Sequence, residues 1–182
     1  MLKKVDMKRF LGYLLLLFFI LSCDQQPKKK GAVKSKTLFD WVYRDIKEVP
    51  YFKGYERATA CVIDRDNRTS EYAFVEMMKG NRRIVVLEKI IDTGKPKKKY
   101  QILDTIHING FGKDDFLMLC QCVENGKANA QILTKTTRIK EAYDLEYYSS
   151  FHRAWKANLE TEKIEEMKKL EGIRCANESF GI

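Results

Sequence analysis

The sequence predicts an α+β fold, a mainly antiparallel meander of six or more strands with a short N-terminal helix and one amphipathic C-terminal helix packed on it. Three observations lead to this class. Apolar, often β-branched runs follow one another between residues 58 and 134. Short turn sequences separate them, which favours antiparallel neighbours. Two flanking segments instead place apolar residues at helical spacing.

The first predicted element is a short amphipathic helix over Thr37–Lys47. Leu38, Trp41 and Ile46 lie near helical spacing, and charged residues occupy the other side. Pro50 disfavours helix for the residue before it, so the helix ends ahead of Val49. The residues Trp41 to Tyr43 also suit a strand, which is the alternative for this segment.

Six runs form the predicted meander. They are Ala58–Ile63, Tyr72–Met78, Ile84–Ile91, Tyr100–Ile108, Phe116–Val123 and Ala128–Thr134. Gly80-Asn81 and Asn125-Gly126 are two-residue hairpin turns by composition, because these residue types accept the positive φ that a tight turn requires. Some central runs are apolar on both faces, which predicts a sheet that is covered on both sides or curled upon itself.

The last long element is predicted as an amphipathic helix over Leu145–Asn158. Its stripe consists of Leu145, Tyr148, Phe151 and Trp155, which are three or four residues apart. Two late strands follow, at Lys163–Met167 and Gly172–Cys175.

The formal charge of +9 is concentrated at the N-terminus. Residues 1–36 contain nine Lys or Arg and two Asp, which leaves +2 for residues 37–182. A nearly neutral domain lacks the basic surface of a nucleic-acid binder, so no nucleic-acid partner is expected. The basic run Gly94–Lys99 is expected to be a solvated loop, or a contact for an anionic polymer or lipid.

The N-terminus is typical of an export signal. Lysines and Arg9 precede an apolar run from Phe10 to Leu21. Its twelve residues fall short of the roughly 20 that a membrane-spanning helix needs, so we expect a removable signal over residues 1–22.

The run ends in Ile20-Leu21-Ser22-Cys23, which resembles the lipobox of bacterial lipoproteins. The resemblance implies cleavage before Cys23, lipidation of its thiol and acylation of the new amino terminus. The membrane would then be a partner through the lipid on Cys23, in the cell envelope, on the periplasmic side or at the cell surface. Residues 23–36 are polar and basic, which predicts a flexible tether, and residues 37–182 are long enough for one domain. The alternative is an ordinary signal peptide with a chance cysteine.

Four further cysteines, Cys61, Cys120, Cys122 and Cys175, are candidates for disulfides in an oxidising compartment. Three full pairings are open. Cys120 and Cys122 are two apart on a predicted strand and should share a face. A bond between them would strain the backbone, which makes Cys61 or Cys175 the better partner for either. Buried free thiols are the alternative.

A second resemblance covers about half of the mature chain, including its tail. The segments His152–Asn158, Lys163–Glu166 and Gly172–Glu178, together with Tyr100–Asp104 and Glu124–Lys127, resemble those of small Bacteroidetes-type lipoproteins. This resemblance implies a location and a fold and assigns no activity.

No catalytic motif is present: there is no serine elbow, phosphate loop or helical His-Glu-x-x-His. His107 is not spaced to share a metal with Cys120 and Cys122. His152 could approach them from the predicted helix, but nothing in the spacing requires it, so neither metal nor cofactor is expected. We therefore expect a non-enzymatic module that binds an envelope protein or polymer. The alternatives are an immunity-type lipoprotein that neutralises an antibacterial toxin, and an envelope hydrolase or thiol enzyme.

Overall fold

The structure, a computed structural model, describes residues 37–63, 71–91, 98–138 and 144–180, all within the compact unit Lys36–Ile182. Strands hold 56% of these residues and short helical turns 7%, with no helix of seven or more residues among them. The domain is therefore mostly β, and the predicted α+β class is wrong. The predicted signal, the tether and Cys23 lie outside the described residues.

The described residues form 13 strands and three short 3-10 turns. The strands are β1 (Val42–Tyr43), β2 (Glu56–Ile63), β3 (Tyr72–Lys79), β4 (Arg82–Ile91), β5 (Lys99–Ile108), β6 (Asp115–Leu119), β7 (Cys122–Glu124), β8 (Lys127–Ala128), β9 (Ile132–Thr137), β10 (Tyr147–Tyr148), β11 (Arg153–Asn158), β12 (Lys163–Glu166) and β13 (Ile173–Ala176). The turns are Leu38–Asp40, Ile46–Glu48 and Pro50–Phe52.

The strands form three sheets, which we call A, B and C. Sheet A has the order β1-β5-β4-β3-β2, sheet B the order β12-β11-β9-β6, and sheet C the order β10-β13-β7-β8. The recorded pairs are antiparallel, and one sheet curls into a half-barrel. The four predicted runs from Ala58 to Ile108 are β2 to β5, the meander of sheet A.

The two turn sequences have the backbone that their composition predicts. Gly80 has φ 58° between the paired residues Lys79 and Arg82. Asn125 and Gly126 have φ 53° and 79°, both positive, as a type I′ hairpin turn requires.

Sheet A is covered on both faces, which explains its strands without a polar side. Phe74, Val85 and Leu87 pack in one cluster with Leu133 and Trp155 of sheet B. On the opposite face, a second cluster joins Val75, Met77, Ile84 and Val86 to Tyr43, Ile46, Val49 and Phe52 of the N-terminal segment. Successive strand residues point to opposite faces, so consecutive apolar residues of β3 and β4 serve both clusters.

The predicted N-terminal helix over Thr37–Lys47 is absent. Instead, two 3-10 turns flank β1, which pairs with β5 through Val42 opposite Gln101 and Tyr43 opposite Tyr100. Tyr43 is 3% exposed whereas Val42 is 41% exposed, an alternation of period two. Pairing with an available strand edge outweighs the weak helical preference of this segment.

The predicted C-terminal helix over Leu145–Asn158 is also wrong. Tyr148 lies on β10 in sheet C, and Trp155 lies on β11 in sheet B. Trp155, Ala157 and Leu159 are buried in alternation, which is the period of a strand. The apparent helical stripe therefore combined residues of two different sheets. The two late strands are present as β12 and β13.

The predicted strand Phe116–Val123 is interrupted. Cys120 has φ 62°, a left-handed conformation that ends β6, and the chain resumes as β7 in another sheet. The expectation that Cys120 and Cys122 share one strand face is therefore wrong.

Candidate functional site: a groove between two sheet edges

A groove of about 610 Å³ lies between the edges of two sheets. One wall is β2, the last strand of sheet A, and the other is β6, the last strand of sheet B. Ala58, Thr59 and Ala60 line the first wall and are exposed. Residues 115–120 line the second wall. Both walls are thus sheet edges, whose outer backbone groups have no partner strand. The β2 wall is exposed, whereas Leu117, Met118 and Leu119 of the β6 wall are buried.

A disulfide links the two walls of this groove. Cys61 of β2 and Cys120, just after β6, are bonded, with 6.2 Å between their Cα atoms. Both residues are half-buried. This bond ties the edge of sheet A to the edge of sheet B, so it sets the spacing of the two walls.

The second disulfide, Cys122–Cys175, is buried in sheet C, where the two residues lie opposite each other on β7 and β13. Of the three full pairings that the sequence left open, the structure has Cys61–Cys120 together with Cys122–Cys175. All four cysteine sulfurs are bonded, so no described cysteine offers a free thiol to either histidine.

Every second residue of β6 directs its backbone amide and carbonyl toward the groove. The Cys120 amide donates to the Ile132 carbonyl, and the Arg138 amide donates to the Asp114 carbonyl. In an antiparallel pair such bonded positions alternate with positions that point away from the partner strand. With the recorded β6–β9 register, the amides and carbonyls of Leu117 and Leu119 therefore point away from β9, on the groove side.

A cluster of charged and aromatic side chains also lines the groove, through Glu76, Arg83, Phe111 and Asp115. The Arg83 guanidinium lies 3.1 Å from the Glu76 carboxylate and stacks 4.4 Å from the centre of the Phe111 ring. The Lys135 amine lies 5.4 Å from the same ring and 2.8 Å from the Asp115 carboxylate. This cluster links the two sheets through contacts that are largely buried.

The carboxyl groups of this cluster have opposite pKa shifts. The pKa of Asp115 is held well below its ordinary value by hydrogen bonds from Lys135, from the Thr137 hydroxyl and from the Gly112 amide. Burial raises the pKa of Glu76, and Arg83 opposes that rise only in part. Both carboxyl groups are held by neighbours, which fits a structural wall rather than a reactive pair.

The rim of the groove carries groups that remain available for contacts. Arg138 is exposed and lies 5.7 Å from the centre of the Phe116 ring. The Gln121 side-chain amide donates to the Glu178 carboxylate, which is exposed at the same rim. The rim thus carries one charge of each sign beside a half-buried aromatic ring.

The two histidines are far from forming a common site. His107 Nε2 lies 3.1 Å from the Tyr51 hydroxyl, and His152 Nε2 lies 2.8 Å from the Thr137 hydroxyl. Both are exposed. Among the described residues no three His, Cys, Asp or Glu side chains are grouped as a metal site would require.

One functional candidate escaped sequence reasoning: the pair of Tyr43 and Glu88, whose hydroxyl and carboxylate are hydrogen-bonded inside the domain. The available signal was Glu88 itself, a carboxylate within the apolar run Ile84–Ile91. Its partner lies 45 residues away, a relationship that periodicity does not reveal.

No protein-family model matches the chain, and neither the curated proteins nor the solved structures contain a significant match. Within the described ranges, no helix is long and apolar enough to cross a membrane.

Proposed function

We propose that the protein is an envelope lipoprotein, held to a membrane through lipid on Cys23, whose domain binds an extended segment of a partner protein in the groove between β2 and β6. The observation that carries this proposal is that two unpaired sheet edges line one cavity. An extended polypeptide pairs with the outward amides and carbonyls of such edges by adding a strand.

The chemistry of the walls favours a polypeptide over a polysaccharide. Ala58, Thr59 and Ala60 present small side chains, which allow close approach of another backbone. The outward amides and carbonyls of Leu117 and Leu119 repeat at the spacing of a strand, which matches a second strand and not a sugar ring.

The anchor supports the location of this activity. A lipid on Cys23, followed by the polar residues 24–36, would hold the domain at the end of a tether beside the membrane. Fourteen residues of tether, counted from Cys23 to Lys36, span at most about 50 Å when extended. A partner in the same envelope compartment would be within that reach.

The test is capture of an envelope protein by the full chain and by two lysine variants. Ala58→Lys places a long charged side chain on the exposed edge that lines the groove, a change that blocks strand addition. Ala128→Lys is the matched control, because Ala128 is also exposed on an edge strand, β8 of sheet C, outside the groove.

We expect one stoichiometric polypeptide with the unchanged protein and with Ala128→Lys, and at least about tenfold less with Ala58→Lys. Equal capture by all three proteins contradicts the proposal. So does recovery of a polysaccharide alone, which would favour polymer binding, or of a secreted toxin that Ala58→Lys binds equally well, which would favour an immunity function elsewhere on the domain.

A further inference from the structure

A second cavity, of about 360 Å³, lies beside the buried pair Tyr43–Glu88. Glu88 of β4 and Tyr43 of β1 line it, and neither residue lines the groove described above. Its size suits a small ligand such as one sugar ring.

The floor of this cleft holds a buried carboxylate that is only partly satisfied. Glu88 is 5% exposed, and one of its oxygens accepts a hydrogen bond from the Tyr43 hydroxyl. Its other oxygen has no hydrogen-bond partner among the described residues. A buried carboxylate oxygen without a partner is costly, so a donor supplied by a ligand would stabilise it.

The rim of the cleft is basic. Arg44, Arg57 and Lys98 line it, are exposed, and form no ion pair with another described residue. Asp45 also lines it, but its carboxylate accepts a hydrogen bond from the Lys47 amide. The described rim thus carries three cations against the one carboxylate of Asp45, and the Glu88 carboxylate lies on the floor near the charge of Arg57. This surplus of positive charge at the rim attracts an anionic group.

The remaining walls are apolar or aromatic. Val62 and Ile90 provide apolar contacts, and Tyr100 provides a ring beside that of Tyr43, with 5.9 Å between their centres. Carbon-bound hydrogens of a sugar ring pack well against such surfaces, while its hydroxyl groups reach the polar floor.

From these contacts we infer that the Tyr43–Glu88 cleft binds a hydroxylated carboxylate of the acidic-sugar class. A ligand hydroxyl donates to the Glu88 oxygen that does not accept from Tyr43, and the ligand carboxylate faces Arg57 and the other rim cations. The ligand is either a free sugar acid or the end of an acidic polysaccharide, since both present the same chemistry.

The test is calorimetric titration of the full chain, purified in detergent, with glucuronate. Two probes separate the two contacts: glucose lacks the carboxylate, and cyclohexanecarboxylate keeps the charge and the ring size but lacks the hydroxyl groups. We expect saturable glucuronate binding, and at least about tenfold weaker binding of each control probe. An oligoglucuronate that binds more tightly than the free acid indicates a polymer end as the source, and equal binding indicates the free sugar acid.

Two variants locate the site. Glu88→Leu removes the buried acceptor, and Arg57→Gln removes an exposed rim cation without touching the core; each should weaken glucuronate binding at least about tenfold. Arg174→Gln is the control, because Arg174 is an exposed cation outside the cleft. No saturation at about 10 mM glucuronate, equal binding of the three probes, or unchanged binding by Arg57→Gln overturns the inference.

Discussion

Cys61 and Cys120 bond the edge of sheet A to the edge of sheet B, across 59 residues of sequence. Both cysteines line the groove between these two edge strands. Cys120 has φ 62°, so the chain turns into sheet C directly after the bond. Cys120 thus ends β6, forms the disulfide with Cys61 and lines the groove.

Removing this disulfide should lower stability and loosen the groove. In the chain-entropy model, a bond that closes a loop of about 60 residues contributes roughly 4 kcal/mol to the free energy of unfolding. We expect the double variant Cys61→Ala/Cys120→Ala to lose about 3–4 kcal/mol in urea unfolding, while the protein still folds around its buried core. A loss below about 1 kcal/mol would show that the contacts between sheets A and B suffice without the bond.

The Tyr43–Glu88 pair predicts a pH dependence of stability. Burial raises the pKa of Glu88 from 4.5 to about 7, although the hydrogen bond from Tyr43 and the charge of Arg57 lower it. Arg44 and Asp45 from the N-terminal segment and Lys98 and Tyr100 near β5 also face this cleft.

A raised pKa means that the folded state holds the proton more tightly than the unfolded state does. The stabilisation from Glu88 is therefore complete below pH 4.5 and is lost as the pH rises through about 7. This rise in the pKa of Glu88 corresponds to about 3 kcal/mol in the free energy of unfolding.

We expect unfolding free energies of the unchanged protein and of Glu88→Gln to diverge by up to about 3 kcal/mol between about pH 5 and about pH 8, with Glu88→Gln relatively more stable at the higher pH. Glu76, whose pKa is also raised by burial, is present in both proteins, so its contribution cancels. Parallel curves for the two proteins would refute the assignment to Glu88.

The proposed anchor predicts the behaviour of Cys23→Ser. A serine at this position has no thiol to lipidate, so the chain should appear in the soluble envelope fraction, whereas the unchanged chain should sediment with membranes. Metabolic labelling with a fatty acid should mark only the unchanged protein. Membrane retention of Cys23→Ser would show that another segment holds the chain.

Turn chemistry made much of sheet A, and the β7–β8 hairpin of sheet C, predictable. Gly80-Asn81 and Asn125-Gly126 mark hairpins because their backbones need positive φ, and the apolar runs of β3 and β4 match strands that are buried on both faces. The helices were mispredicted because Tyr148 and Trp155 have helical spacing in the sequence yet belong to different sheets. Pairing with distant strands decides whether such segments form a helix or a strand, and the spacing of apolar residues carries no information about that pairing.

The candidate sites were less accessible to sequence reasoning. Cys61 and Cys120 were two of four candidate cysteines, for which three full pairings were open. Their bond depends on the tertiary contact between the edge strands β2 and β6, which the sequence does not show. The left-handed backbone of Cys120 has no signal in its residue type, because cysteine rarely adopts it. Glu88 is a charged residue within an apolar run, but the sequence analysis did not single it out, and its partner Tyr43 was placed on a predicted helix.

Hydrogen exchange tests strand addition in the groove most directly. The full chain is compared with and without the captured partner polypeptide, residue by residue, at the backbone amides of β6 and of β8. We predict that exchange at Leu117 and Leu119 slows at least about tenfold when the partner binds, while exchange at Ala128, on an edge outside the groove, is unchanged. Partner binding that leaves the Leu117 and Leu119 amides exchanging at their original rates would contradict the account.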